Sequence, residues 1–127
     1  MCGEEGYGAA MKLMVNALFA AQVGVMAELL GVAQGVGMSG EDAIKILAQT
    51  PVCSPAAAAM SRMMLAHQHS PMFPVELVVK DLGYARDALA GARVSLSPCE
   101  ATSRLYQEAM RQGLGGLNIT SVRQLFE

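Results

Sequence analysis

The chain has 127 residues, enough for one compact domain with a real core and too few for two ordinary ones. Over half of it is apolar (53%), only 16% is charged, and Trp is absent, a balance that excludes disorder and favours helices around an aliphatic interior. A net charge of -2 with scattered Lys and Arg supplies no basic stripe, which argues against nucleic acid as a partner.

The first helix is predicted from about Tyr7 or Gly8 to Gln34, ending in Gly35-Val36-Gly37. From Leu13 to Gly40 its only charge is Glu28, so the stretch is long enough to span a bilayer. Asn16, Gln22, Glu28 and Gln34 interrupt the run and no basic flank orients it, so the reading adopted is a core helix, apolar almost all round, enclosed by other helices or a second chain. Ser39 is a candidate N-cap for a second helix carrying Glu41 and Asp42 in its first turn, then Ile44, Leu47 and Ala48, and stopping before Thr50-Pro51.

Ser54-Pro55 opens a third helix, rich in Ala and Met, through about Ala66. After a loop from His67 to Pro74, Leu77, Val78, Leu82, Ala85 and Leu89 recur at helical spacing between Val75 and about Ala90, and Gly91 closes that helix. Ser97-Pro98 repeats the cap-plus-proline signal for a helix with Leu105, Ala109 and Met110 on its apolar face and its end at Gly113. Thr120 is expected to cap a short last helix. No period-two alternation is sustained anywhere, so the fold class is all-α, with about six helices around one long, mostly apolar N-terminal helix.

The patch with most chemical content is Gly6-Tyr7-Gly8-Ala9-Ala10-Met11-Lys12-Leu13-Met14-Val15-Asn16, where Lys12 and Asn16, four apart, share a helix face. An ammonium and an amide there, beside small residues that let a ligand approach, can serve a hydroxyl or carbonyl group. Burial would suit Lys12 to proton transfer, because desolvation disfavours its charged form. The plainer reading is a solvated helix edge, weakened by how few other polar residues this helix carries. A second patch, Phe73-Pro74-Val75-Glu76-Leu77-Val78-Val79-Lys80-Asp81-Leu82, carries Lys80 about two turns into a helix, with a surface Lys-Asp pair as the plain alternative.

Taken together, Gly-x-Gly-x-x-x-Lys-x-x-x-Asn, a long helix with Ala27-Glu28, then Phe73 and Lys80-Asp81-Leu82, resemble the β-hydroxyacid dehydrogenases of the 3-hydroxyisobutyrate dehydrogenase-like family, from Gly6 to about Leu125. The resemblance implies a helical C-terminal domain like that of 6-phosphogluconate dehydrogenase, serving substrate binding and dimerisation, in enzymes that move hydride between NAD or NADP and a small 3-hydroxy acid or semialdehyde. It implies Lys12 as general acid/base, Asn16 and Gly8 at the substrate, and Lys80 and Phe73 at the cofactor. A lysine at position 12 favours hydroxy-acid over imine chemistry.

Departures are visible as well. No strand followed by G-x-G-x-x-G occurs in these residues, so the Rossmann domain and its substrate-carboxylate motif are expected to be absent and the chain to be inactive alone. Val15 stands where an asparagine commonly precedes the matched Asn16, and Asn118 where an aspartate often introduces the last helix. Two functions therefore compete: a helical portion of a dehydrogenase, either excised from a longer chain or naturally paired with a separately encoded Rossmann half, and a non-enzymatic self-associating module of the same fold. Both predict a homodimer or higher oligomer, with no membrane partner.

Among weaker candidates, His67-x-His69 lacks a Cys or carboxylate cluster, so no metal site is expected. Met60, Met63 and Met64 read as packing. Cys2, Cys53 and Cys99 form no CxxC pair and read as small buried hydrophobes, reduced in a cytoplasm.

Overall fold

The computed structural model describes residues 4–92 and 94–127; Cys2 lies outside them. The elements are α1 (Glu4–Gly35), α2 (Gly40–Leu47), α3 (Pro55–Leu65), α4 (Val75–Leu89), a 3-10 turn (Ala90–Ala92), α5 (Ser97–Arg111) and a final 3-10 helix (Ile119–Phe126). Among the described residues there is no strand, only an isolated antiparallel bridge between Pro74 and Asn118. The all-α expectation, with six principal helices, is met.

α1 is the axis, and α3, α4, α5 and the final 3-10 helix all pack on it. Its buried stripe, Ala17, Ala20, Val23, Ala27 and Leu30, recurs at three- and four-residue steps and joins Ile44, Met64, Val75, Val78, Leu82, Tyr106, Ile119 and Val122 in one core. Gly31 is where the final helix presses closest: a Cβ there would meet Phe126 Cβ and its carbonyl oxygen at 3.0 Å. By length and hydropathy, residues Gly6–Gly35 also meet the requirement for a membrane span. The stripe just named is nevertheless spent on the chain's own core, while Tyr7, Met11, Met14, Leu18, Val25, Leu29 and Val32 stay exposed.

Local chemistry explains most helix ends. Ser39 Oγ accepts from Asp42 N (3.1 Å) at the start of α2. Ser54 Oγ accepts from Ala57 N (3.0 Å) at the start of α3 and donates to Gln22 Oε1 (2.6 Å), tying that cap to α1. At the end of α1 Met38 N donates to Ala33 O and Gly37 N to Gln34 O, the Schellman pattern, with Gly37 in the left-handed region (φ 79°) that favours glycine. The same pair of bonds closes α3 around His67 (φ 54°) and α5 around Gly113 (φ 85°).

Two expected caps are corrected. Ser97 is the first residue of α5, not its cap, and its Oγ lies 2.6 Å from Ser95 Oγ. Thr120 lies inside the last helix, fully buried, and Asn118 holds the N-cap position without a side-chain cap bond. The Asn118 side chain is used on the neighbouring loop: Oδ1 accepts from Met72 N (3.1 Å) and Phe73 N (2.8 Å), while Nδ2 donates to Thr120 Oγ1 (3.1 Å). Buried amides without such a partner would be unfavourable by about 1–3 kcal/mol each.

Side-chain burial revises three further expectations. Leu77 and Met110 are exposed, whereas Tyr106, which the spacing did not single out, is fully buried. Met64 is buried and Met60 packs on the core, in line with filling. Cys53 is half-buried and Cys99 exposed, both free thiols, so neither is a fully buried hydrophobe.

Thr120 also settles the role of one histidine. Its hydroxyl proton goes to Gln68 O (3.1 Å), so His69 Nδ1, 2.9 Å away, acts as the donor to Thr120 Oγ1. Nε2 is then a buried atom without a partner among the described residues. Burial, reinforced by nearby His67 and opposed by Glu127, lowers the His69 pKa below 6.5. The unfolded chain therefore takes up this proton first: His69 leaves stability unchanged above about pH 6.5 and reduces it as the pH falls from there to the lower folded value. Urea midpoints at pH 7.5 and 5.5 should show a smaller difference in His69→Gln than in the parent chain; equal differences would refute the assignment.

Candidate functional site

The residues singled out by sequence lie on the first half of α1 and on α4 with the loop that enters it, two elements that pack on each other. Lys12, Asn16 and Phe19 fall at i, i+4 and i+7, one face of α1. Opposite them stand Phe73, at the entry to α4, and Lys80 and Asp81 within it.

Two contacts join the segments. Asn16 Nδ2 donates to Asp81 Oδ2 at 3.1 Å, across 65 residues of sequence. Three residues on, the Phe19 and Phe73 rings stack, centroids 6.3 Å apart and planes at 15°. Both polar partners are half-buried because they continue apolar stripes: Asn16 is in line with buried Ala20 and Val23, and Asp81 with buried Val78 and Ala85.

Phe73 is also held through its backbone. Its N–H donates to Asn118 Oδ1, and its carbonyl accepts from Ile119 N at 2.8 Å. The α4 amides of Val75 and Glu76 donate to the carbonyls of Leu117 and Gly115, so the tail of the chain, not a side-chain cap, seats the start of α4. Asn118 thus positions Phe73 from 45 residues away.

The cations lie at the rim. Lys12 is exposed, so burial within this chain does not desolvate it, and an apolar cover would have to come from another surface. Lys80 is exposed, with its Nζ 5.9 Å from the centre of the Tyr84 ring. The only ion pairs among the described residues are Arg86–Asp87 and Arg111–Glu108, so Lys80 and Asp81 do not form the surface pair that was the plain alternative. Gly8 is exposed with nothing within 4 Å of a Cβ built on it; among the described residues no neighbour demands a glycine there. The described residues contain no group of three or more metal-ligating side chains, and His69 is engaged with Thr120.

Asp81, Phe19 and Asn118 were not assigned roles from sequence. A signal existed for Asp81, a carboxylate in register with buried Val78 and Ala85. The clamp by Asn118 had no local signal. A double-mutant cycle of Asn16→Ala and Asp81→Ala, followed by urea denaturation, should return a coupling of about 1 kcal/mol for this part-buried, charge-assisted bond. Additivity within 0.3 kcal/mol, which is roughly the noise for independent sites, would show that the contact does not organise the site.

Residues 6–126 match the model of a family described as NAD-binding of NADP-dependent 3-hydroxyisobutyrate dehydrogenase. Two Arabidopsis thaliana proteins, glyoxylate/succinic semialdehyde reductase 1 and the chloroplastic reductase 2, are 28% and 27% identical over 120 residues, 94% of this chain. The chain spans 42% and 34% of their respective lengths. Among solved structures, 3-hydroxyisobutyrate dehydrogenase from Salmonella typhimurium superposes with a TM-score of 0.85 over 91% of this chain and 40% of that one, at 18% identity. The Mycobacterium tuberculosis 3-hydroxyisobutyrate dehydrogenase solved with L-serine gives 0.83 over 93% and 43%, at 20% identity. These likenesses place the fold as the helical domain of such enzymes, and the match along residues 6–126 means that the chain belongs to the 3-hydroxyisobutyrate dehydrogenase-like family, related to the β-hydroxyacid dehydrogenases.

Proposed function

We propose that this chain is the substrate-binding and dimerisation domain of an NAD(P)-dependent β-hydroxyacid dehydrogenase, completed by a nucleotide-binding domain. The observation that carries the reading is the Asn16–Asp81 hydrogen bond, which draws the Lys12/Asn16 face and the Phe73/Lys80 segment to one edge. Lys12 delivers or accepts the proton on the substrate oxygen, and Asn16, fixed by Asp81, holds that oxygen in place, with Gly8 leaving room beside it. Phe73 closes the site as an apolar wall.

The donor set suits a dinucleotide at its edge. Lys80 is an exposed cation held by the Tyr84 face and, among the described residues, by no carboxylate, so it is available to a phosphate or ribose oxygen, while the rest of the grip belongs to the nucleotide-binding domain. The nicotinamide, when bound, supplies or takes the hydride. Calorimetric titration of the purified chain with NADH and NADPH, with its mass measured on the same sample, tests this. Weak saturable binding that Lys80→Ala removes is expected; binding untouched by Lys80→Ala would refute the role of Lys80.

The exposed face of α1 favours association under this reading and under the alternative of a non-enzymatic module. Tyr7, Met11, Met14, Leu18, Val25, Leu29 and Val32 follow steps of three, four and seven, the spacing of a seam that a second copy's α1 can match. A dimeric mass supports it, and a monomer at micromolar concentration removes it. The free thiols of Cys53 and Cys99 suit a reducing compartment such as the cytoplasm.

A further inference from the structure

At the other end of α1 lies a cavity of about 620 Å3 between the α1 terminus, the first turn of α2, the end of α3 and the final 3-10 helix. Arg123 reaches it from the final helix and is only 8% exposed. Its Nη2 donates to Gln34 Oε1 at 3.0 Å, but Nη1 is buried with no hydrogen-bond partner among the described residues. No carboxylate lies within ion-pair distance of this guanidinium in the described chain. A buried cation held by one neutral amide, with half its fork unused, is an unfavourable arrangement unless something anionic completes it.

We infer that this cavity binds a small organic carboxylate, whose charge completes the Arg123 guanidinium that lines it. A planar fork with unused N–H donors matches a carboxylate in geometry and charge. Ser39 and Gly40, at the start of α2, line the same space. Leu30, Met64 and Leu65 form an apolar wall suited to a short hydrocarbon tail. Glu127 also lines the cavity, and its charge disfavours a dianion such as phosphate relative to a monoanion. Lys12 and Gln34 stand about 33 Å apart along α1, so this site is separate from the proposed reaction centre and does not depend on that reading.

The test is titration of the 127-residue chain with sodium butyrate against sodium chloride at equal ionic strength, followed by backbone amide NMR, with inorganic phosphate as a second probe. Butyrate should saturate in the millimolar range, with the largest shifts at Gly40, Glu41 and Arg123. Gln34→Glu places a carboxylate beside the guanidinium and should weaken butyrate at least tenfold while the melting temperature holds or rises; Arg123→Met should abolish binding. Shifts that do not saturate, or Gln34→Glu that binds butyrate as the parent does, would overturn the site. Phosphate binding tenfold tighter than butyrate would overturn its assignment to a carboxylate.

Discussion

Lys12→Ala is expected to lower turnover by about 10²- to 10⁴-fold, the usual contribution of a positioned general acid. The assay is a chimera in which this chain replaces the matching segment of the Arabidopsis glyoxylate/succinic semialdehyde reductase 1, followed by NAD(P)H consumption with glyoxylate or succinic semialdehyde. Reduction of a carbonyl by hydride leaves an alkoxide that needs a proton, and Lys12 is the ammonium on the α1 face shared with Asn16. Lys12 is exposed within this chain, so under the proposed function the nucleotide-binding domain supplies the cover that excludes water from it. Lys12→Arg should fail almost as badly, because a guanidinium keeps the charge but does not release a proton near neutral pH. A Lys12→Ala chimera with more than a tenth of the parent turnover would exclude Lys12 as the proton donor.

The largest loss of stability is expected at Tyr106. Truncation to Ala should cost about 3–5 kcal/mol, the range for a large aromatic removed from a core, read from urea denaturation. The ring is fully buried where α5 meets α1, and its hydroxyl donates to Ala20 O at 2.7 Å. Burial pushes the phenol far above its ordinary pKa, so it remains a protonated donor around neutral pH. Tyr106→Phe keeps the ring and should cost only about 1 kcal/mol, the hydroxyl's own share. If Tyr106→Ala cost under 2 kcal/mol, the α1–α5 contact would not be a principal source of stability.

The sequence alone determined whatever depends on neighbours within a turn or two. Ser39 and Ser54-Pro55 announce helix starts because a cap bond spans three residues, and Gly37 announces a helix end because one residue must turn left-handed. The all-α class follows from period alone, and the Lys12–Asn16 spacing sets a shared face before any partner is known. Ser97 and Thr120 show the limit of local rules. Either could cap in isolation, but one pairs with Ser95 and the other is drawn inward by Gln68, His69 and Asn118.

Tertiary structure decided what distant segments share. Asp81 meets Asn16 across 65 residues, Asn118 supports the Phe73 loop across 45, and Arg123 is sealed against Gln34 across 89. None of these has a sequence period, because each is fixed by how α1 packs on α4 and on the final 3-10 helix. Exposure was decided at the same level: one side of α1 is buried as core and the other is left open, although both are nearly equally apolar in sequence. The physical reason is that hydrophobicity selects burial without selecting a partner, and only the packed arrangement determines which apolar face is covered and which polar atoms must find each other.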